Sequence, residues 1–78
     1  MERELGRLAL APKGGRNHQL NASAYSLGQL VASEQLGDEE VIVALVAVAR
    51  QIGLGDEEAE PTIESGMKAG MRRPRRVA

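Results

Sequence analysis

Residues Val41 to Ala49 read VIVALVAVA, nine apolar residues without a break. The run is rich in β-branched side chains, so on composition alone it suits a buried strand. Its flanks point the other way. Asp38 stands at a cap position, and Glu39 and Glu40 suit the positive end of a helix dipole. Arg50 suits the negative end, and Gly53 is a stop signal. A span of about fifteen residues is long for a strand and ordinary for a helix. The segment therefore predicts a helix. Val41, Leu45, Val48 and Ile52 form one stripe, and Val43, Val46 and Ala47 make it apolar almost all round. A helix apolar on every side is expected to be the central one.

The rest of the chain follows from that reading. Upstream, Met1 to Ala11 predicts a short helix with Leu5, Leu8 and Ala9 on one face. Gly6 weakens it by about 1 kcal/mol relative to Ala. Pro12 and the Gly14-Gly15 pair end it. A second helix is expected from about Asn17 to Ser33, with Asn17 as N-cap. Leu20, Ala24, Leu27 and Val31 form its core stripe, widened by Leu30, with Tyr25 beside it and Gly28 leaving room for a close neighbour. A fourth helix has two candidate starts. Asp56 as cap puts Pro61 inside the helix, where it removes a backbone bond; Pro61 as the first residue avoids this. Ile63, Met67, Gly70 and Met71 give its apolar face, and Pro74 ends it. The expectation is an all-α, small four-helix bundle over residues 1–71 and a basic tail over residues 72–78.

A chain of 78 residues holds one small domain, marginally stable alone. It has no Cys, Trp or Phe, and Tyr25 is its only aromatic residue. The lack of Cys fits a reducing, cytoplasmic setting. The apolar run is too short to span a bilayer. Charges near the start, in MERELGRLAL, leave no room for a signal peptide, so no membrane or export role is expected. The net charge of −1 hides an asymmetry: residues 1–33 carry +2, residues 34–64 carry −8 and residues 65–78 carry +5. Such segregation lets one surface face a polyanion while another stays acidic; solvated faces and a basic tail are the simpler account.

Catalytic patterns are missing. His18 is the lone histidine, and no His/Cys zinc set can be built. Ser23 and Ser26 lack a His–Asp pattern. The two DEE runs, Asp38–Glu40 and Asp56–Glu58, are explained by helix starts. PKGGR lacks the spacing and the Lys-Ser/Thr ending of a P-loop. What remains is Gly14-Gly15-Arg16-Asn17 ahead of a helix. Glycine backbone, helix-start N–H groups and an arginine can hold a phosphate. The same residues also make a turn, a cap and a solvated cation.

The ordered set Gly15-Arg16-Asn17, Leu20-Asn21, Ala24-Tyr25, Leu27-Gly28, Ile52-Gly53-Leu54, Thr62-Ile63, Ser65-Gly66 and Gly70 resembles the C-terminal helical domain of bifunctional DNA primase/polymerases. These are proteins of actinobacteria and of mobile elements, plasmids and phages. The resemblance covers roughly Leu5 to Arg76. Glu60-Pro61 and Glu64 depart from the basic residues more usual there, and His18-Gln19 from an amide-rich pair. The resemblance implies a non-catalytic accessory bundle, not itself an enzyme. It would bind single-stranded DNA or nucleotide in primer initiation beside a separate primase–polymerase catalytic domain that carries the metal-binding carboxylates. On this reading Gly14, Gly15, Arg16 and Asn17 hold phosphate. Lys13, Lys68, Arg72 and Arg73 attract the nucleic-acid backbone, with Tyr25 expected to be largely buried and no cofactor or metal. The alternative is a small helical protein-interaction module or a homodimer, motivated by the apolar third helix and the small core.

Overall fold

The computed structural model describes residues 1–75. The chain forms α1 (Glu2–Ala9), a single 3-10 turn (Lys13–Gly15), α2 (Arg16–Ala32), α3 (Asp38–Gln51) and α4 (Asp56–Met71). There is no strand among the described residues. The molecule is the all-α, four-helix bundle expected from the flanks of VIVALVAVA.

The dominant contact is between α2 and α4, and the two helices run parallel. Asn17 meets Thr62, Asn21 meets Gly66, Tyr25 meets Gly70 and Gln29 meets Arg75, each pair 45 or 46 residues apart in sequence. The four α2 residues recur every fourth position, so they form one ridge. The chain returns from the far end of α2 to the near end of α4 through α3, which therefore runs opposite to both.

Three glycines let this pair close. A Cβ on Gly28 would stand 2.6 Å from the carbonyl oxygen of Met67. One on Gly66 would stand 2.8 Å from both the Ala24 Cβ and the Asn21 carbonyl oxygen. One on Gly70 would collide with the carbonyl of Tyr25. Backbone meets backbone here, at a separation that no side chain permits. The core around the seam is aliphatic: Leu8, Leu20, Leu27, Val41, Leu45 and Ile63 are buried, and Met67 closes one side.

Burial corrects the expectation for α3. It buries only Val41, Leu45 and Ala49 and leaves Ile42 and Val43 exposed, at 40 % and 64 %. The central helix is α2, which touches every other element. Apolar residues all round α3 indicate a helix with a second apolar face on the outside, not one wrapped by neighbours. Tyr25 is partly exposed, with most of its surface covered, as expected.

The caps also differ from expectation. The 3-10 turn runs directly into α2, so Gly15 is the N-cap and Asn17 lies inside the first turn. Gly37 and Gly55 are the N-caps of α3 and α4, and Asp38 and Asp56 are their first residues. Glu40 reaches back to accept the Gly37 N–H at 3.3 Å, and the three acids opening each helix face its positive end. Gly53 does end α3. At φ +87° it sits in a Schellman turn, with its own N–H on the Arg50 carbonyl and the Leu54 N–H on that of Ala49. The same turn ends α2, but there the left-handed residue is Glu34, φ +63°. Of the two starts for α4, Asp56 is the one adopted. Pro61 lies within the helix, and it and Glu57 are exposed, so the missing bond faces outward.

After α4 the chain folds back on α2. The Ser33 hydroxyl donates to the Arg75 carbonyl at 2.7 Å, and the Arg75 guanidinium donates to Gln29 Oε1 at 3.3 Å. Residues 76–78 of the basic tail lie outside the described residues.

Candidate nucleic-acid interface

The first turn of α2 and the first half of α4 carry a polar cluster. Asn17 and Asn21 lie four residues apart on α2. Glu58, Thr62 and Ser65 follow at four and three on α4, so each set shares a helix face. The parallel seam brings the two faces together. The Asn17 amide donates to Thr62 Oγ1 at 2.9 Å and to Glu58 Oε2 at 3.1 Å. Thr62 in turn donates to the Glu58 carbonyl at 3.0 Å. Asn21 lies over Gly66, where a Cβ would come within 3.0 Å of its Oδ1. Asn17, His18, Asn21, Pro61, Thr62 and Ser65 line an open concavity of about 420 Å³. Among the described residues, the side chains of His18, Asn21 and Ser65 make no hydrogen bond within the protein, and all three residues are exposed at the opening.

Of the four residues expected to hold phosphate, three lie outside the lining of this concavity. The Gly15 N–H is held by the Pro12 carbonyl at 2.8 Å, closing the 3-10 turn. Gly14 is exposed on that turn. Arg16 is half-buried and leans across the turn between α3 and α4. Its Nη1 lies 3.5 Å from where a Cβ on Gly53 would be, and its Nε is buried without a partner. Asn17 is the one of the four that lines the concavity.

The expected backbone-binding cations fall at two ends. Lys13 is exposed on the 3-10 turn, beside the start of α2. Lys68 is in the last turns of α4, and Arg72 and Arg73 follow that helix, exposed. At 1.5 Å per residue, about 20 Å of helix separates Glu58 from Arg72. The acids of α4, Glu57 to Glu64, lie between these ends.

One ion pair spans the α3–α4 turn. Arg50 donates from Nε and Nη2 to the two carboxylate oxygens of Asp56 at 2.9 and 2.6 Å. The hydrogen bond from Arg50, with its charge, holds the Asp56 carboxyl below the usual carboxylate range; the bond to Asp56 raises Arg50 in turn. No group of three or more His, Cys, Asp or Glu side chains able to hold a metal ion occurs among the described residues. No described helix is long and apolar enough to cross a membrane.

Glu58, Asn21, Thr62 and Ser65 were not singled out as site residues from composition or charge. The readable signal was the pair of polar spacings, Asn17/Asn21 and Glu58/Thr62/Ser65. What joins them is the seam, which only the fold displays. No protein-family signature, curated protein or solved structure matches the chain.

Proposed function

We propose that the chain is a non-catalytic accessory domain of a primase–polymerase system, binding single-stranded nucleic acid or nucleotide at the concavity between α2 and α4. One observation carries the reading. Residues from two distant segments that resemble the primase–polymerase domain, Asn17 and Asn21 in one and Thr62 and Ser65 in the other, converge on one polar opening.

The chemistry of that opening suits a base edge or a sugar hydroxyl better than a bare phosphate. Its groups are amides, hydroxyls and an imidazole, which both donate and accept. Glu58 within the cluster repels an anion at short range. Phosphate attraction falls to Lys13 and Arg16 near the start of α2, and to Arg72 and Arg73 after α4; Lys68 faces the α3 side of α4 instead. A strand laid along the parallel seam meets cations at both ends; between them lie the amides and hydroxyls of the concavity, with the Glu58 carboxylate among them. Tyr25, with most of its surface covered, offers little stacking surface, so binding is salt-dependent and weakly selective for sequence.

Fluorescence anisotropy with a short single-stranded oligonucleotide, repeated across salt concentrations, tests this. Asn21→Ala is expected to weaken binding with the fold intact. Arg16→Ala is expected to cost on the order of 1.5–3 kcal/mol and to lower the salt slope by about one. Binding that ignores both changes but vanishes when Arg72 and Arg73 become alanine would move the interface to the tail and refute the reading.

A further inference from the structure

The opposite side of α4 offers a different surface. Between α3 and α4 runs a groove of about 350 Å³, floored by Ile42, Val46, Ile63, Met67 and Met71. Ile42 is 40 % exposed and Met71 39 %, and Val43 stands beside them at 64 %. Local helix physics does not account for these side chains. Isoleucine and valine at exposed helix positions form helix less well than alanine or leucine. Ile42 and Val43, outside the core, depart from the pattern of the buried isoleucine and valine positions Ile63 and Val41, and such departures gather at functional surfaces.

The rim indicates what covers the floor. Asp38, Glu60 and Glu64 border the groove, and Lys68 is its one cation among the described residues. Glu39, one turn before Ile42 and Val43, is exposed beside it. A nucleic acid or an anionic lipid surface is repelled by this rim. A second copy docked about a two-fold axis would set the same acidic rim against itself, because a two-fold interface buries the same patch on both partners. The groove is elongated along two helices and open at the top, which suits a helix laid into it.

We propose that the α3–α4 groove docks an amphipathic helix of another protein, with aliphatic residues on one face and lysines or arginines on its flanks. The apolar face covers Ile42, Val46, Met67 and Met71. The flanking cations meet Asp38, Glu60 and Glu64, which set the orientation and speed the encounter. This surface is separate from the concavity between α2 and α4, so either can fail without the other.

The test uses the full chain, isotope-labelled, and a synthetic helical peptide with leucines at i, i+3, i+4 and i+7 flanked by lysines. A second peptide replaces every lysine by glutamate. The lysine peptide is expected to bind and to shift the resonances of Ile42, Val46, Met67 and Met71, leaving Asn21 and Ser65 unmoved. Glu60→Lys with Glu64→Lys, both at exposed positions, is expected to weaken binding about tenfold or more with unchanged circular dichroism. Ile42→Lys is expected to abolish it. The proposal is overturned if the lysine peptide does not bind, if both peptides bind alike, or if the shifts fall elsewhere. It is equally overturned if the chain alone sediments as a dimer that Ile42→Lys dissociates, since a second copy then occupies the groove.

Discussion

The two sides of α4 pack by opposite means. Toward α2 it presents Gly66 and Gly70, and backbone lies on backbone. Toward α3 it presents Ile63, Met67 and Met71 across a groove that its neighbour only partly covers. The first side gains close dispersion contact and rigidity from the absence of side chains. The second buries Ile63 and Met67 but leaves Met71, and Ile42 across from it, partly exposed to solvent. The contrast teaches that apolar content alone does not locate the centre of this bundle. The most apolar helix, α3, lies at its edge, and the helices richest in small residues form its middle.

The largest expected effect comes from filling the seam. Gly70→Ala adds a methyl where the Tyr25 carbonyl stands, so α2 and α4 must separate. The helix-propensity gain of about 1 kcal/mol is outweighed by an overpacking cost of about 1–3 kcal/mol or more. Urea denaturation is expected to show a net loss, with Gly66→Ala behaving alike. Gly6→Ala sharpens the comparison, because a Cβ there meets nothing within 4 Å. It is expected to stabilise by about 0.5–1 kcal/mol. If all three glycines respond alike, the seam is not special.

The turn that leads from α2 out to α3 is next. Glu34 holds a left-handed conformation in which a Cβ is strained. Glu34→Gly is expected to raise stability by roughly 1 kcal/mol, measured by the same denaturation. On the groove side the effect should be small. Val43→Lys exchanges an exposed valine for a better helix former and is expected to change stability by no more than about 0.5 kcal/mol.

The smallest effect is at the exposed Arg50–Asp56 pair. Because the folded carboxyl titrates below its unfolded value, its contribution is present above the unfolded pKa of about 4 and is lost as pH falls through the folded pKa. Carboxyl-carbon NMR titration should place the Asp56 midpoint below the usual range, and Arg50→Ala should return it there. An unshifted Asp56 in the parent chain would show that the pair does not form in solution.

Much of this fold was legible in residues, and the failures have physical causes. The acids before VIVALVAVA and Arg50 and Gly53 after it point to a helix, because a helix carries a net dipole that favours acids at its start and cations at its end, and a strand carries almost none. They carried no information about which neighbour each face would meet, so α3 was expected at the centre. Asn17 was read as a cap because Asn is a good one. The 3-10 turn starts the helix earlier, and the amide is free to cross to Thr62. Gly28 signalled a close neighbour correctly. The left-handed Glu34 left no sign, since nothing in a glutamate marks that conformation. For the site, Asn17 and Arg16 were found from local chemistry, whereas the meeting of Asn21 with Gly66 depends on a helix forty-five residues away.

The central claim is that α2 and α4 run parallel in backbone contact, since that contact assembles the polar concavity and leaves α3 at the edge. Nuclear Overhauser spectroscopy on the full chain measures it directly. The account expects strong cross-peaks between the α-protons of Gly70 and that of Tyr25, and between the α-protons of Gly66 and the methyl of Ala24. Absence of these peaks, with both helices intact by chemical shift, would mean an ordinary side-chain separation between α2 and α4 and would contradict the account.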